Sequence, residues 1–497
     1  MSPDLATILV PRQLPGERSR ELLRRQAERE SNARSYPRRL PFAIDSASGT
    51  IVRDVDGNEY LDFLAGAGVL SLGHSHPDLV RIVVEQAPRF VHGLDMPTEV
   101  KDAFTEAQLG MLPLAMRDRT RIHFCGPTGA NTVDAAVKLA KTFTGRSEVI
   151  SFRGGFHGTT HLGMALTGLL SQRESVANAV PGVHFAPYSY CARCPIGLTR
   201  SNCGVRCATV LESLLNDENG GVAAPAAVIL ELVQGEGGVI PADLEFVRRV
   251  VDAAHAVGAL VIVDEVQTGC GRTGTWFAFE QYGFEPDVIC ASKALSGIGL
   301  PLGIILYRDE YDTWAPGAHT GTFRGNQLGF ASGVEAIRVI QRDDVLGNIR
   351  ARGAQVASIL DPLRSLPTVR DVRGRGLMWG IELQDPVTGA PDGAAAHAVQ
   401  DRAVRRGLIV EVGGRSDCVL RLLPPLIVSE AEIQAACDLL VQLVTELDAL
   451  CAARTHVLDT PAIAAVESTH TIMIDGIASA SPDTEPPCTV TLEVSRG

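Results

Sequence analysis

Between residues 122 and 307, short apolar runs of strand length alternate with stretches of helical period. The runs occupy 122–125, 148–152, 227–232, 260–264, 287–291 and 303–307, and helical patterns fall between them, as at 131–144 and 244–256. A strand that is apolar throughout is buried on both faces. Strand–helix alternation therefore predicts an α/β fold with a mostly parallel sheet covered by helices. Such sheets gather ligands at the carboxyl ends of their strands. Upstream, two alternating runs at 51–55 and 60–63 flank Asp56-Gly57-Asn58, which predicts a hairpin. The first forty residues are rich in Arg and Glu, with Leu22 and Leu23 as the main apolar pair, and read as a solvated helix or arm.

Beyond Arg342 the pattern changes to longer helices with a few strands, at 376–383, 408–412 and 418–422. We read four parts: an N-terminal arm with a piece of a small domain (1–64), a large domain (65–341), a C-terminal small domain (342–454) and a flexible tail (455–497). The tail is Thr/Ser/Pro/Ala-rich and has no helical period. With 45 Lys+Arg against 58 Asp+Glu, the 497-residue chain carries −13 and has no long basic run, so nucleic acid and anionic membranes are poor partners. Acidic residues such as Glu231, Asp264 and Glu265 interrupt every apolar stretch before membrane-spanning length. Asp4 ahead of a short apolar run does not read as a signal peptide, and the scattered cysteines suit a reduced compartment, so a cytoplasmic enzyme is expected.

Three segments carry chemistry. The apolar run 260–264 ends in Asp264, a carboxylate that needs something positive when it emerges from a buried strand. A protonated pyridine nitrogen would serve. Lys293 follows the next apolar run directly, and desolvation there would lower its pKa and make it an amine able to form a Schiff base. That pairing is what a pyridoxal-phosphate enzyme requires, although each residue alone reads equally well as a strand-end group with a salt-bridge partner. Third, Gly126-Pro127-Thr128-Gly129-Ala130-Asn131 leads from a strand into a helix, where free N–H groups and the helix dipole favour an anion. The same turn would also pass as a plain helix cap.

Together these segments resemble the class III, fold-type-I pyridoxal-phosphate aminotransferases. The stretch Asp264-Glu265-Val266-Gln267-Thr268-Gly269-Cys270-Gly271-Arg272 through Ser292-Lys293 matches that family's cofactor signature, and the likeness runs from about residue 36 to about 447. The resemblance implies a large domain on a seven-stranded sheet, a small domain built from both chain ends, and a homodimer. It assigns Lys293 to the cofactor's Schiff base and to proton transfer. Asp264 falls to the pyridine nitrogen and Gln267 to the phenolic oxygen. Thr128, Gly129 and Ala130 match the phosphate turn, Phe156 and His157 the segment stacked on the ring, and Thr322 the phosphate contact from the neighbouring subunit. Without the family, Phe156 would read as core, His157 as a loop residue, and the 320–326 stretch as a surface loop.

On the substrate side, Arg421 stands in an apolar run, and a buried guanidinium demands an anion. The resemblance places it on the α-carboxylate of glutamate or 2-oxoglutarate, with Glu236 as its partner when that carboxylate is absent. The plain alternative is a structural ion pair. Thr159, where γ-aminobutyrate and ornithine enzymes often have Arg, and the missing Tyr in Ala65-Gly66-Ala67-Gly68-Val69 argue against those substrates. His92-Gly93-Leu94-Asp95-Met96 and Gly321-Thr322-Phe323-Arg324-Gly325-Asn326 are similar to the family's L-2,4-diaminobutyrate:2-oxoglutarate 4-aminotransferases. The alternatives are another ω-amino acid:2-oxoglutarate aminotransferase (ornithine, lysine, γ-aminobutyrate) or an aminomutase or racemase on the same fold. Cys191, Cys194, Cys203 and Cys207 have a spacing that would pass for zinc in a small domain. Lying in an insertion between sheet elements, they are read here as binding no metal.

Overall fold

The computed structural model describes residues 5–173 and 179–459. Three strands near the start, β1 (Ile44–Ser48), β2 (Ile51–Asp54) and β3 (Glu59–Asp62), form an antiparallel meander. The predicted hairpin joins β2 to β3, with Gly57 at φ +88°, a left-handed conformation that glycine adopts without steric cost. Its Asp56 also caps the Arg-rich helix Glu17–Arg29. One carboxylate oxygen accepts from Arg18 N (2.8 Å) and the other from Ser19 N (2.9 Å). The arm is thus pinned at its start, while its charged face stays in solvent.

The central sheet contains β4 (Thr120–Phe124), β5 (Val149–Phe152), β6 (Val183–Ala186), β7 (Ala227–Leu230), β10 (Leu260–Asp264), β11 (Val288–Ala291) and β12 (Ile304–Arg308). The small hairpin β8 (Val233–Gln234) and β9 (Ile240–Pro241) lies between β7 and β10 in the chain. The sheet order is β4-β12-β11-β10-β7-β5-β6, and only β12 runs against its neighbours. Six of these strands are the six apolar runs. The seventh, β6, is a half-buried edge strand whose Val-His-Phe-Ala sequence does not alternate. All five residues of β10 are buried. Val261 and Val263 pack with Phe246 and Val250 on one face, and Leu260 and Ile262 with Val137 and Leu139 on the other. Each such side chain contributes roughly 1.5–3 kcal/mol on burial, which fixes the strand ends from which the site is built.

A third sheet has the order β13 (Val369–Arg375), β14 (Met378–Leu383), β17 (Val419–Leu422), β16 (Glu411–Gly413). The charged sequence of β13 hides it from a hydrophobicity reading: Arg373 is buried by pairing with Glu382 at 2.6 Å. The run 408–412, read as one strand, is two. β15 (Leu408–Ile409) lies parallel to β3, and the chain crosses at buried Val410 into β16. The last helix, Glu430–Asp459, passes Thr455, where the tail was expected to begin. The rest of that segment lies outside the described residues.

Candidate active site

The parallel strands deliver their chemistry at one end of the sheet. Asp264 closes β10, and its Oδ2 lies 2.8 Å from His157 Nδ1, while Oδ1 accepts from Val266 N at 3.0 Å. His157 follows β5 and is fully enclosed. Burial pulls its pKa down, but the Asp264 carboxylate more than offsets this and leaves it raised. Glu231, just past β7, accepts from Phe156 N (2.8 Å) through one oxygen and from Gly235 N (2.9 Å) through the other. Burial lifts its carboxyl to about 7. It ties the Phe156 segment to the turn that carries Glu236.

Lys293 comes two residues after β11, at φ +34°, a left-handed conformation that costs a non-glycine residue about 1–3 kcal/mol. Lys293 as a whole is half-buried. Burial lowers its pKa despite the charges of Glu236, Glu411 and Asp264 nearby. The chain contains only four lysines, Lys101, Lys138, Lys141 and Lys293. Of the others, Lys101 donates to Asp95 O at 3.0 Å over the Phe124 ring, and Lys138 is exposed.

Thr128 precedes the helix Gly129–Thr144, and its hydroxyl is held by Asn131 Oδ1 at 3.0 Å. The first N–H groups of a helix have no partners within it, so this end suits an anion. Two close approaches weld the turn to the rest of the site. A Cβ on Gly129 would meet Val266 at 2.7 Å, and one on Gly158 would meet Ala130 at 2.6 Å. A Cβ on Gly235 would fall 1.9 Å from Gln267 Oε1. Gln267 is otherwise idle. Neither atom of its buried amide makes a well-formed hydrogen bond, although Glu236 is close enough to be stabilised by it.

Arg421 on β17 is 0% exposed. Its Nη2 donates to Glu236 Oε2 at 2.9 Å, so the two residues expected as a pair do meet. The same Nη2 stands 2.6 Å from Glu411 Oε2, whereas Nε and Nη1 have no hydrogen-bond partner. Glu411 lies directly opposite Arg421 in the β16–β17 ladder, and Tyr36 donates to its Oε1 at 3.3 Å. Burial opposes both carboxylates. Arg421 and Lys293 still hold Glu236 below the ordinary value, while Glu411, which also feels the charge of Glu236, is raised. Sequence reading missed Glu411 and Tyr36. The signal for Glu411 was a ladder register across a hairpin whose strands were not correctly divided.

Thr322 is exposed on the turn Thr322–Arg324, its carbonyl 2.6 Å from His92 Nε2, and the loop borders the phosphate-type turn at Gly126. The adjacent Phe323 is 69% exposed. Among the described residues no group of three or more His, Cys, Asp or Glu side chains is placed to hold a metal ion. Cys191 Sγ instead lies 3.7 Å from Arg200 Nη1.

The sequence profile described as aminotransferase class-III matches residues 32–444. A diaminobutyrate--2-oxoglutarate aminotransferase of Rhizobium meliloti is 48% identical over 83% of this chain and 89% of its own. One from Haemophilus influenzae is 44% identical over 86% of this chain and 96% of its own. Among solved structures, the ornithine aminotransferase of Toxoplasma gondii aligns with a TM-score of 0.75 at 25% identity, covering 87% of this chain and 96% of that one. An aminotransferase of Bacillus anthracis aligns at 0.78, also at 25% identity, covering 87% of this chain and all of its own (100%).

Proposed function

This chain belongs to the class-III aminotransferases, enzymes of pyridoxal 5′-phosphate, and from that premise we propose that it moves the 4-amino group of L-2,4-diaminobutyrate to 2-oxoglutarate. The products are aspartate 4-semialdehyde and glutamate, and the reaction also runs in reverse. The observation that carries the reading is the identity of 48% and 44%, over most of the chain, to relatives with that name. Arg421 between two carboxylates supports it, because a mutase or racemase needs no arginine poised for a dicarboxylate co-substrate.

The residues fit the cofactor. When bound, pyridoxal 5′-phosphate supplies an electron sink for the bond being broken at the amine carbon. Gln267, with its orphaned amide, would hold the phenolic oxygen, and Asp264 the ring nitrogen. Thr128, Gly129 and Ala130 would hold the phosphate at the helix N-terminus. Phe156 would cover the ring face, with His157 fixing Asp264 from behind. Lys293, its proton affinity lowered by burial, would present its amine to the aldehyde and then carry the proton away from, or back to, the reacting carbon. We further propose a cytoplasmic homodimer in which Thr322 of the partner subunit completes the phosphate site. Exposed Phe323 beside Thr322 supports the dimer.

Glu236 acts as a switch in this reading. It occupies Arg421 while the ω-amine reacts and yields when the α-carboxylate of glutamate or 2-oxoglutarate arrives. The test follows the absorbance of the yellow holoenzyme as single amines convert the cofactor to its amine form. Diaminobutyrate is expected to discharge the colour, and a response to ornithine or 4-aminobutyrate without one to diaminobutyrate would reject the substrate. In Glu236→Ala the glutamate half-reaction should gain on the diaminobutyrate half-reaction by about tenfold, equivalent to ~1.4 kcal/mol. An unchanged ratio would leave Glu236 a structural partner only.

A further inference from the structure

Three charged groups converge where an ordinary structural ion pair would need two. Arg421, with no exposed surface, faces Glu236 at 2.9 Å and Glu411 at 2.6 Å. One guanidinium carries one positive charge against two largely buried carboxylates, and an uncompensated buried charge is retained only at a cost. Lys293 is the remaining cation that acts on both, and its amine is committed to the cofactor. The floor of the pocket is therefore one positive charge short.

Glu411 is not sealed away. Its side chain keeps 13% of its surface, and Tyr36, itself 48% exposed, fixes its Oε1. The backbone holds the three groups in register. Glu411 is the cross-strand neighbour of Arg421, and Gly414 N donates to Glu236 O at 2.9 Å, joining the Glu236 turn to the end of β16. Arg421 also has two buried donors, Nε and Nη1, without an acceptor. Two carboxylates share one guanidinium nitrogen, so an ammonium arriving beside Glu411 would supply the second positive charge.

Resting on the diaminobutyrate reading above, we infer that Glu411 receives the second, non-reacting ammonium of a diamino acid while Glu236 keeps Arg421 occupied, so that Glu411 sets the preference for diamino over monoamino donors. 4-Aminobutyrate is the matching probe. It is diaminobutyrate without the α-ammonium, and it presents the same chain length and reacting amine.

The experiment compares kcat/KM for L-2,4-diaminobutyrate and for 4-aminobutyrate, each with 2-oxoglutarate, in wild-type holoenzyme, Glu411→Gln and Glu411→Asp. Both donors are assayed on one preparation, so their ratio is independent of how much of a variant folds. In Glu411→Gln the ratio is expected to fall tenfold or more, mostly through the KM for diaminobutyrate. Glu411→Asp, which keeps the charge one methylene short, should lie between. A fall of less than tenfold in Glu411→Gln, or equal loss on both donors, would overturn the role of Glu411. A wild-type enzyme inactive toward diaminobutyrate would fail the substrate reading itself, and does so before any variant is made.

Discussion

Replacing Lys293 with Ala is expected to lower kcat by about 10⁴-fold or more, which corresponds to ~5 kcal/mol of barrier. The size follows from what else the chain can offer. Proton transfer at the amine carbon needs an unprotonated amine within reach, and burial shifts Lys293 toward that state. No other lysine can stand in. Lys101 is bonded to Asp95 O, and Lys138 and Lys141 lie toward the far end of the helix Gly129–Thr144 from the phosphate-type turn. The substitution leaves the strain of the φ of +34° as it is, since Ala also carries a Cβ, and removes only side-chain packing. Single-turnover absorbance checks the rate. Hydride reduction followed by peptide mass analysis checks the attachment: cofactor mass should appear on the Lys293 peptide of the wild type and on no peptide of the variant. Cofactor on another lysine of the wild type would reject the assignment.

The second large effect is expected at Asp264. Asp264→Asn keeps the volume but removes the charge, and both half-reactions should slow by about 10³-fold, ~4 kcal/mol, since a carboxylate that holds the ring nitrogen protonated serves each equally. Equal loss is the distinguishing feature, because Glu236→Ala is expected to move the two half-reactions apart. The substitution also strips His157 of the main partner that raises its pKa, leaving only the weaker charge of Glu231 against burial, so the imidazole should lose its proton at lower pH. NMR titration of the ring would follow that shift. A loss smaller than tenfold, or confined to one donor, would mean that the carboxylate does not face the ring.

Much of this was legible in order. Asp264 and Lys293 close strands that are apolar end to end, and such strands declare themselves by composition. Six of the seven central strands were legible from their apolar runs, and the β2–β3 hairpin from alternation around Asp56-Gly57. What stayed hidden depends on distant pairing. β6 is a four-residue edge strand interrupted by His184, and β13 keeps Arg373 inside because Glu382 on β14 and the carbonyls of Gly238 and Val239 meet it. The division of 408–412 into β15 and β16 is set by which sheet each half joins, and no local propensity encodes that. Glu411 shared that fate. Its role becomes visible only when β16 is laid against β17 and brings it opposite Arg421.

The scarcity of lysine reaches beyond catalysis. An aldehyde in solution condenses with whatever unprotonated amine it meets, and most proteins carry a coat of lysines that compete for it. Here nearly all of the 45 basic residues are arginines, which stay protonated and form no such adducts at ordinary pH. Lys101, Lys138 and Lys141 are the only other side-chain amines that could divert the cofactor. Reductive trapping should therefore count occupied sites with little background from the surface, and amine-directed coupling to a support would grip the protein at few points.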